Sequence, residues 1–186
     1  MRIIKILILI IISTTVSMKS NSNETLKDIL KEGGKVIFIR HAYAPGTGDP
    51  KNFDINDCST QRNLNKRGIN QSKKVGIFFT KNRIEIDKVL SSEWCRCKDT
   101  AFYAFKDYKK IFFLNSFYDE KFAHQKNNQI IELKKYIKRW NGKKNLVLVT
   151  HYVVIYEILN VEVSSGEIVI TNKNFNVLSR YKVPIN

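Results

Sequence analysis

The chain has no internal repeat and no long low-complexity segment, which excludes a solenoid or an arrayed fold. Its three cysteines, Cys58, Cys95 and Cys97, supply one Cys-x-Cys pair and no second pair. None of the spacings that hold zinc is present, so no metal and no cofactor is expected. Carboxylates are scarce, with 17 Asp and Glu against 32 Lys and Arg, a net charge of +15. That excess raises nucleic acid as a partner. The lysines, however, are scattered in ones and twos (Lys73-Lys74, Lys109-Lys110, Lys134-Lys135, Lys143-Lys144). A solvated basic surface is therefore expected rather than a polyanion track, and no nucleic acid. Such a surface still draws phosphorylated substrates toward a cleft.

What is present first is an amino-terminal segment of its own character. Met1-Arg2 and Lys5 precede an uninterrupted apolar run from Ile6 to Ile12, and Ser13 to Ser17 supplies small residues before a polar stretch from Lys19. The run is short for a membrane span, and the pattern reads as a secretory signal peptide over residues 1–20. An uncleaved membrane anchor is the alternative. No cysteine follows the run, so a lipoprotein attachment site is excluded. Without Arg2, Lys5 and Lys19 the remainder carries 29 basic and 17 acidic residues, or +12. Export, to a periplasm, suits disulfides. Cys95 and Cys97 are too close for easy bridging, so Cys58 is expected to pair with either.

Residues 21–186 suffice for one domain that buries roughly two-thirds of its unfolded surface. Leu26, Ile29 and Leu30 mark a short helix ended by Gly33-Gly34. Val36-Ile37-Phe38-Ile39 is an unbroken apolar run between turn signals and reads as a buried parallel strand. A long polar loop, Ala42 to Arg62, follows, of a length that is usually functional or disordered. Helices are expected over Leu64–Phe79, Trp94–Phe105 and Ile130–Trp140. Strands are expected over Ile86–Leu90, Ile111–Leu114 and Asn145–Thr150, with a terminal hairpin of Glu167–Thr171 and Asn176–Val183. This alternation implies a mainly parallel sheet covered on both faces.

Three of these strands end in groups that bind anions: Arg40-His41, Ser91-Ser92 with Arg96 one turn on, and Thr150-His151. Ligands of open α/β sheets bind at that edge. Taken singly, Arg96 is a surface helix residue and His151 a capped core histidine. Taken together, two guanidiniums and two imidazoles describe a site for a tetrahedral dianion, with a neutral histidine able to attack phosphorus.

In their order, these motifs resemble the histidine phosphatase superfamily, also called phosphoglycerate mutase-like. The segments that carry the resemblance are Arg40-His41-Ala42, Leu64 through Gly68 to Gln71, Ser91-Ser92 through Arg96 to Thr100-Ala101, and Val149-Thr150-His151. A closer resemblance is to a small bacterial subgroup, carried by Ala44 to Pro50, Asp57 to Leu64, Trp94 to Cys97 and Ser165 to Glu167. The fold implied is a three-layer α/β/α sandwich of the phosphoglycerate mutase type. The activity implied is a metal-independent phosphatase acting on a phosphorylated small molecule, lipid or protein, phosphohistidine included. In it His41 is the nucleophile, and Arg40, Arg96 and His151 hold the phosphoryl oxygens. Arg62 is a further phosphate ligand. The superfamily's acid, a glutamate after Leu-Asn, is replaced here by Ser116. Glu120 is expected in its place, with Asp119 and Asp49 as alternatives. A pocket that binds phosphate ligands without turnover is the second expectation.

Overall fold

Alternation inside the apolar runs decides the layers, because successive strand side chains point to opposite faces. Ile37 and Ile39 belong to one core cluster with Val147 and Val149, while Val36 and Phe38 belong to a second with Leu146 and Leu148. A computed structural model of the chain describes residues 22–185, so the expected signal or anchor, residues 1–20, lies outside the described residues. The first half comprises α1 (Ser22–Lys31), β1 (Val36–Arg40), α2 (Lys66–Lys81), β2 (Ile86–Ser91), α3 (Cys95–Phe105) and β3 (Lys109–Lys110). The second comprises α4 (Glu120–Ala123), α5 (Lys126–Arg139), β4 (Asn145–Thr150), α6 (Tyr152–Leu159), β5 (Ile168–Thr171) and β6 (Val177–Tyr181).

Among the described residues six strands form one sheet, in the order β3-β2-β4-β1-β5-β6. β3, β2, β4 and β1 are parallel, and β5 and β6 form the expected antiparallel hairpin at one edge. Residues of α1, α2 and α3 cover one face through Leu30, Val75, Phe79 and Ala101. Residues of α5 and α6 cover the other through Leu133, Ile137, Val154 and Ile155. The expected three-layer α/β/α sandwich with a mainly parallel sheet is what the chain adopts. Among the described residues, no helix is long and apolar enough to cross a membrane.

The expected third strand over Ile111–Leu114 is corrected. β3 is Lys109–Lys110, and Phe112–Leu114 close into a 3-10 turn. The reason is that β2 ends at Ser91, whose carbonyl accepts the Ile111 N–H at 2.8 Å, so the ladder has no partner to offer beyond it. The apolar run is buried by turning inward instead. Thr150 Oγ1 donates to the Leu114 carbonyl at 2.6 Å and Gln129 Nε2 to that of Phe112 at 3.0 Å.

The loop after β1 is fixed from α2. Asn65 caps that helix by accepting the Gly68 N–H at 3.1 Å. Gln71, fully buried, accepts the Tyr43 N–H at 2.9 Å and donates to the Ser165 and Val183 carbonyls at 2.8 and 2.7 Å. Gly68 has no room for a side chain, because a Cβ there would overlap the Tyr43 carbonyl oxygen. Gly68→Ala should therefore lower stability by about 1–3 kcal/mol, outweighing an alanine helix preference of about 1 kcal/mol. A melting temperature about 3–10 °C lower is the expected reading, and an unchanged or higher value contradicts this packing.

Candidate active site

The parallel register of β1 and β4 places Arg40 opposite Thr150, so the next residues, His41 and His151, leave the sheet side by side. The His41 N–H still bonds the Thr150 carbonyl at 2.9 Å, and the Ser92 N–H bonds that of Val149 at 3.0 Å. The two imidazoles stand edge to face with ring centres 5.5 Å apart. Both line a cleft of about 220 Å³ at the carboxyl edge of the parallel strands, together with Arg40, Arg62, Arg96 and Asp49. The first turns of α3 and α6 begin at this edge, at Cys95 and Tyr152, and their positive ends favour an anion there.

Hydrogen bonds set the protonation of each ring. His41 Nδ1 lies 2.8 Å from the Ala42 carbonyl, which only accepts, so Nδ1 carries the proton and Nε2 presents a lone pair. For His151 the order comes from a longer chain. Glu93 accepts from Asn115 Nδ2 at 2.7 Å, which orients the amide. Asn115 Oδ1 then accepts the Glu93 N–H at 2.8 Å and the Ser92 hydroxyl at 3.1 Å. Ser92 Oγ, its proton already given, accepts from His151 Nε2 at 2.8 Å. Cys97 Sγ lies 3.5 Å from the same nitrogen, and burial pushes its thiol up to about 12, so it stays protonated. Burial, and after it the Arg96 charge, pushes both His41 and His151 well below the usual 6.5. Both rings are neutral at pH 7, the form a nucleophile needs.

The three guanidiniums are short of counter-charge. Burial lowers Arg40 and Arg62 from their usual value, and repulsion from Arg96 lowers both further. Arg40 donates to the Val163 carbonyl at 2.7 Å, and Arg62 to those of Gly48 and Ala44 at 2.7 and 2.6 Å. Among the described residues, the buried Nε atoms of Arg40 and Arg96 have no partner. Asp49 meets Arg96 with both oxygens, at 2.7 and 3.2 Å, and also accepts from Trp94 Nε1 at 3.1 Å and the Arg62 N–H at 3.1 Å. The Cys58–Cys95 disulfide and Gln61, whose Oε1 accepts the Cys95 N–H at 2.9 Å, tie the loop carrying Arg62 to the start of α3. Cys97 is the free, buried cysteine.

Arg40, His41, Arg62, Arg96 and His151 thus come together on one cleft, as do Asp49 and Asp119. Glu120 does not line it and lies exposed in the first turn of α4. Asp119 accepts the Lys121 N–H at 3.1 Å as the cap of that helix. No sequence motif signals the Glu93-Asn115-Ser92 relay, because Asn115 reaches Ser92 across 23 positions. Nor does one point to the aromatic wall of Trp94, Tyr118, Phe122 and Tyr152. Among the described residues no group of three His, Cys, Asp or Glu is placed to hold a metal ion.

No family model matches the sequence, and no curated protein does either. Solved structures match it in fold. The protein histidine phosphatase SixA complexed with tungstate aligns at a TM-score of 0.55 and 15% identity, over 81% of this chain and 97% of that one. A phosphoserine phosphatase mutant from Entamoeba histolytica in complex with phosphoserine aligns at 0.58 and 17%, over 81% and 98%. Phosphoglycerate mutase from Thermus thermophilus aligns at 0.52 and 16%, over 81% and 99%. These neighbours are histidine phosphatase superfamily members, and the fold of this chain is phosphoglycerate mutase-like.

Two buried neutral histidines make stability depend on pH. Their folded values lie below the unfolded 6.5, so the unfolded chain binds more protons between the two. Their contribution is complete above pH 6.5 and is lost as pH falls, by up to about 1.4 kcal/mol per pH unit for each ring. Denaturant midpoints should drop between pH 7 and pH 5, and His151→Gln should flatten the drop. Midpoints that hold level in the wild type contradict the buried neutral pair.

Proposed function

We propose that the chain is a phosphatase that hydrolyses a phosphomonoester, or a phosphohistidine, through a phosphohistidine formed at His41. The observation that carries this reading is the His41 ring, whose Nδ1 is spent on the Ala42 carbonyl and whose Nε2 is left free in a cleft of three guanidiniums. The shared fold supports it at the level of the superfamily, whose members include mutases as well as phosphatases.

In this reading the phosphoryl dianion is held by Arg40, Arg62 and Arg96, which supply planar donors and stabilise the charge that builds in the transition state. His41 Nε2 attacks phosphorus in line, the phosphorus–oxygen bond to the leaving group breaks, and that oxygen departs with the bonding pair. Water then attacks phosphorus and the phosphorus–nitrogen bond breaks, which frees phosphate and restores neutral His41. His151 sits beside the phosphoryl group, and its Nε2–H is directed to Ser92. The guanidiniums provide the charge neutralisation, so the reaction we propose needs no metal ion. The Cys58–Cys95 disulfide supports export to an oxidising compartment, with residues 1–20 as signal or anchor.

One observation favours the second reading, a binding module without turnover. Asp49 occupies the Arg96 guanidinium that a phosphate would use, and Glu120 stays outside the cleft. Trapping separates the two. Purified protein should turn over p-nitrophenyl phosphate with vanadate sensitivity, and His41→Ala should lose at least a hundredfold in kcat/KM. Brief exposure to labelled substrate should leave acid-labile, alkali-stable label on the wild type alone. Because His41 is held neutral, the acid limb of kcat/KM should fall below pH 6.5. Oxyanion binding with no turnover and no label favours the module instead.

A further inference from the structure

The wall of the cleft beyond the phosphoryl position is aromatic. Trp94 touches His151 edge to face at 5.4 Å, and Phe122 stands against Trp94 at 5.3 Å. Phe53 stacks behind Trp94 at 5.1 Å and meets Phe122 at 5.6 Å, so the wall is braced from outside. Asp49 fixes the Trp94 indole through Nε1, which ties the wall to the same carboxylate that holds Arg96. Tyr118 lines the mouth of the cleft and is 70% exposed, a large aromatic surface left uncovered beside an anion site.

Three of the cleft's polar side chains, Asp49, Ser116 and Asp119, already hold hydrogen bonds within the protein. Asp49 accepts N–H donors at both oxygens, so both are occupied within the protein. The Ser116 hydroxyl accepts the Tyr118 N–H at 3.3 Å. Asp119 caps α4 at the exposed surface, accepting the Lys121 N–H. An alkyl phosphate must expel an alkoxide whose parent alcohol is about as weak an acid as water. A phenol, with a pKa of about 10, leaves with far less help.

Resting on the phosphatase reading above, we propose that the cleft selects aryl phosphates, in which an aromatic ring carries the phosphoryl oxygen, as in a phosphotyrosine side chain. The ring lies against Phe122 and Tyr118 while the dianion meets the guanidiniums. The bond from His41 Nε2 to phosphorus forms as the aryl oxygen–phosphorus bond breaks, and the phenolate leaves with the bonding pair and takes its proton from solvent. Ring contact and leaving-group chemistry then favour the same substrate from two independent directions.

Inhibition separates recognition from reactivity, because phosphonates bind without being cleaved. Phenylphosphonate should inhibit p-nitrophenyl phosphate turnover at least tenfold more tightly than methylphosphonate. Tyr118→Ala, at an exposed site that folding does not need, should bring that ratio toward one, and Phe122→Leu should act in the same sense. Phosphotyrosine should exceed phosphoserine at least a hundredfold in kcat/KM. Equal inhibition by the two phosphonates overturns the aryl preference while labelling at His41 still upholds the phosphatase. Absence of both label and turnover overturns the phosphatase reading itself.

Discussion

Everything at the cleft depends on the register between β1 and β4. Two parallel strands paired from Val36–Leu146 to Arg40–Thr150 deliver His41 and His151 to one edge at one height. A slip of one residue would turn Val36 and Phe38 to the opposite face and pull one imidazole away from the other. The apolar alternation that builds two core clusters is thus the same feature that aligns the chemistry. Stability and site geometry are a single constraint, enforced by residues that never touch a ligand.

Charge is the second constraint. Arg40, Arg62 and Arg96 are brought together, the first two with their ordinary values lowered, and Asp49 is the carboxylate that meets Arg96. Burying Arg96 and half-burying Arg40 and Arg62 beside it is costly unless an anion offsets the desolvation. Asp49 offsets part of that cost and leaves about two positive charges, which matches a phosphoryl dianion. It also positions Arg96 and Trp94 together, so that the guanidinium cluster and the aromatic wall share one carboxylate. The covalent tie from Cys58 to Cys95 holds the loop that bears Asp49 and Arg62 against the helix that bears Arg96.

Much of this was legible in the residues. The unbroken runs at Val36 and Leu146 are long enough to be strands and too short for helices, and their ends carry Arg40-His41 and Thr150-His151. What was not legible depends on partners distant in the chain. Ile111–Leu114 has strand composition but leaves the ladder, because β2 has already ended. Cys95 and Cys97 are equivalent by spacing, and the helical twist of α3 decides between them, one facing the loop and the other the core. Glu120 follows Asp119 by one position, yet the start of α4 places only Asp119 on the cleft. The relay that orients His151 runs through Asn115, and beside it the residues show only that Ser116 stands where the superfamily's glutamate would be.

If His41 Nε2 is a free lone pair aimed at an anion held by Arg40, Arg62 and Arg96, vanadate soaked into crystals of the protein should be captured there. The crystal structure should show trigonal-bipyramidal vanadate bonded to His41 Nε2, its equatorial oxygens on the three guanidiniums and His41 Nδ1 still on the Ala42 carbonyl. Vanadate bound away from His41, or a His41 ring turned so that Nδ1 faces the cleft, would contradict that arrangement.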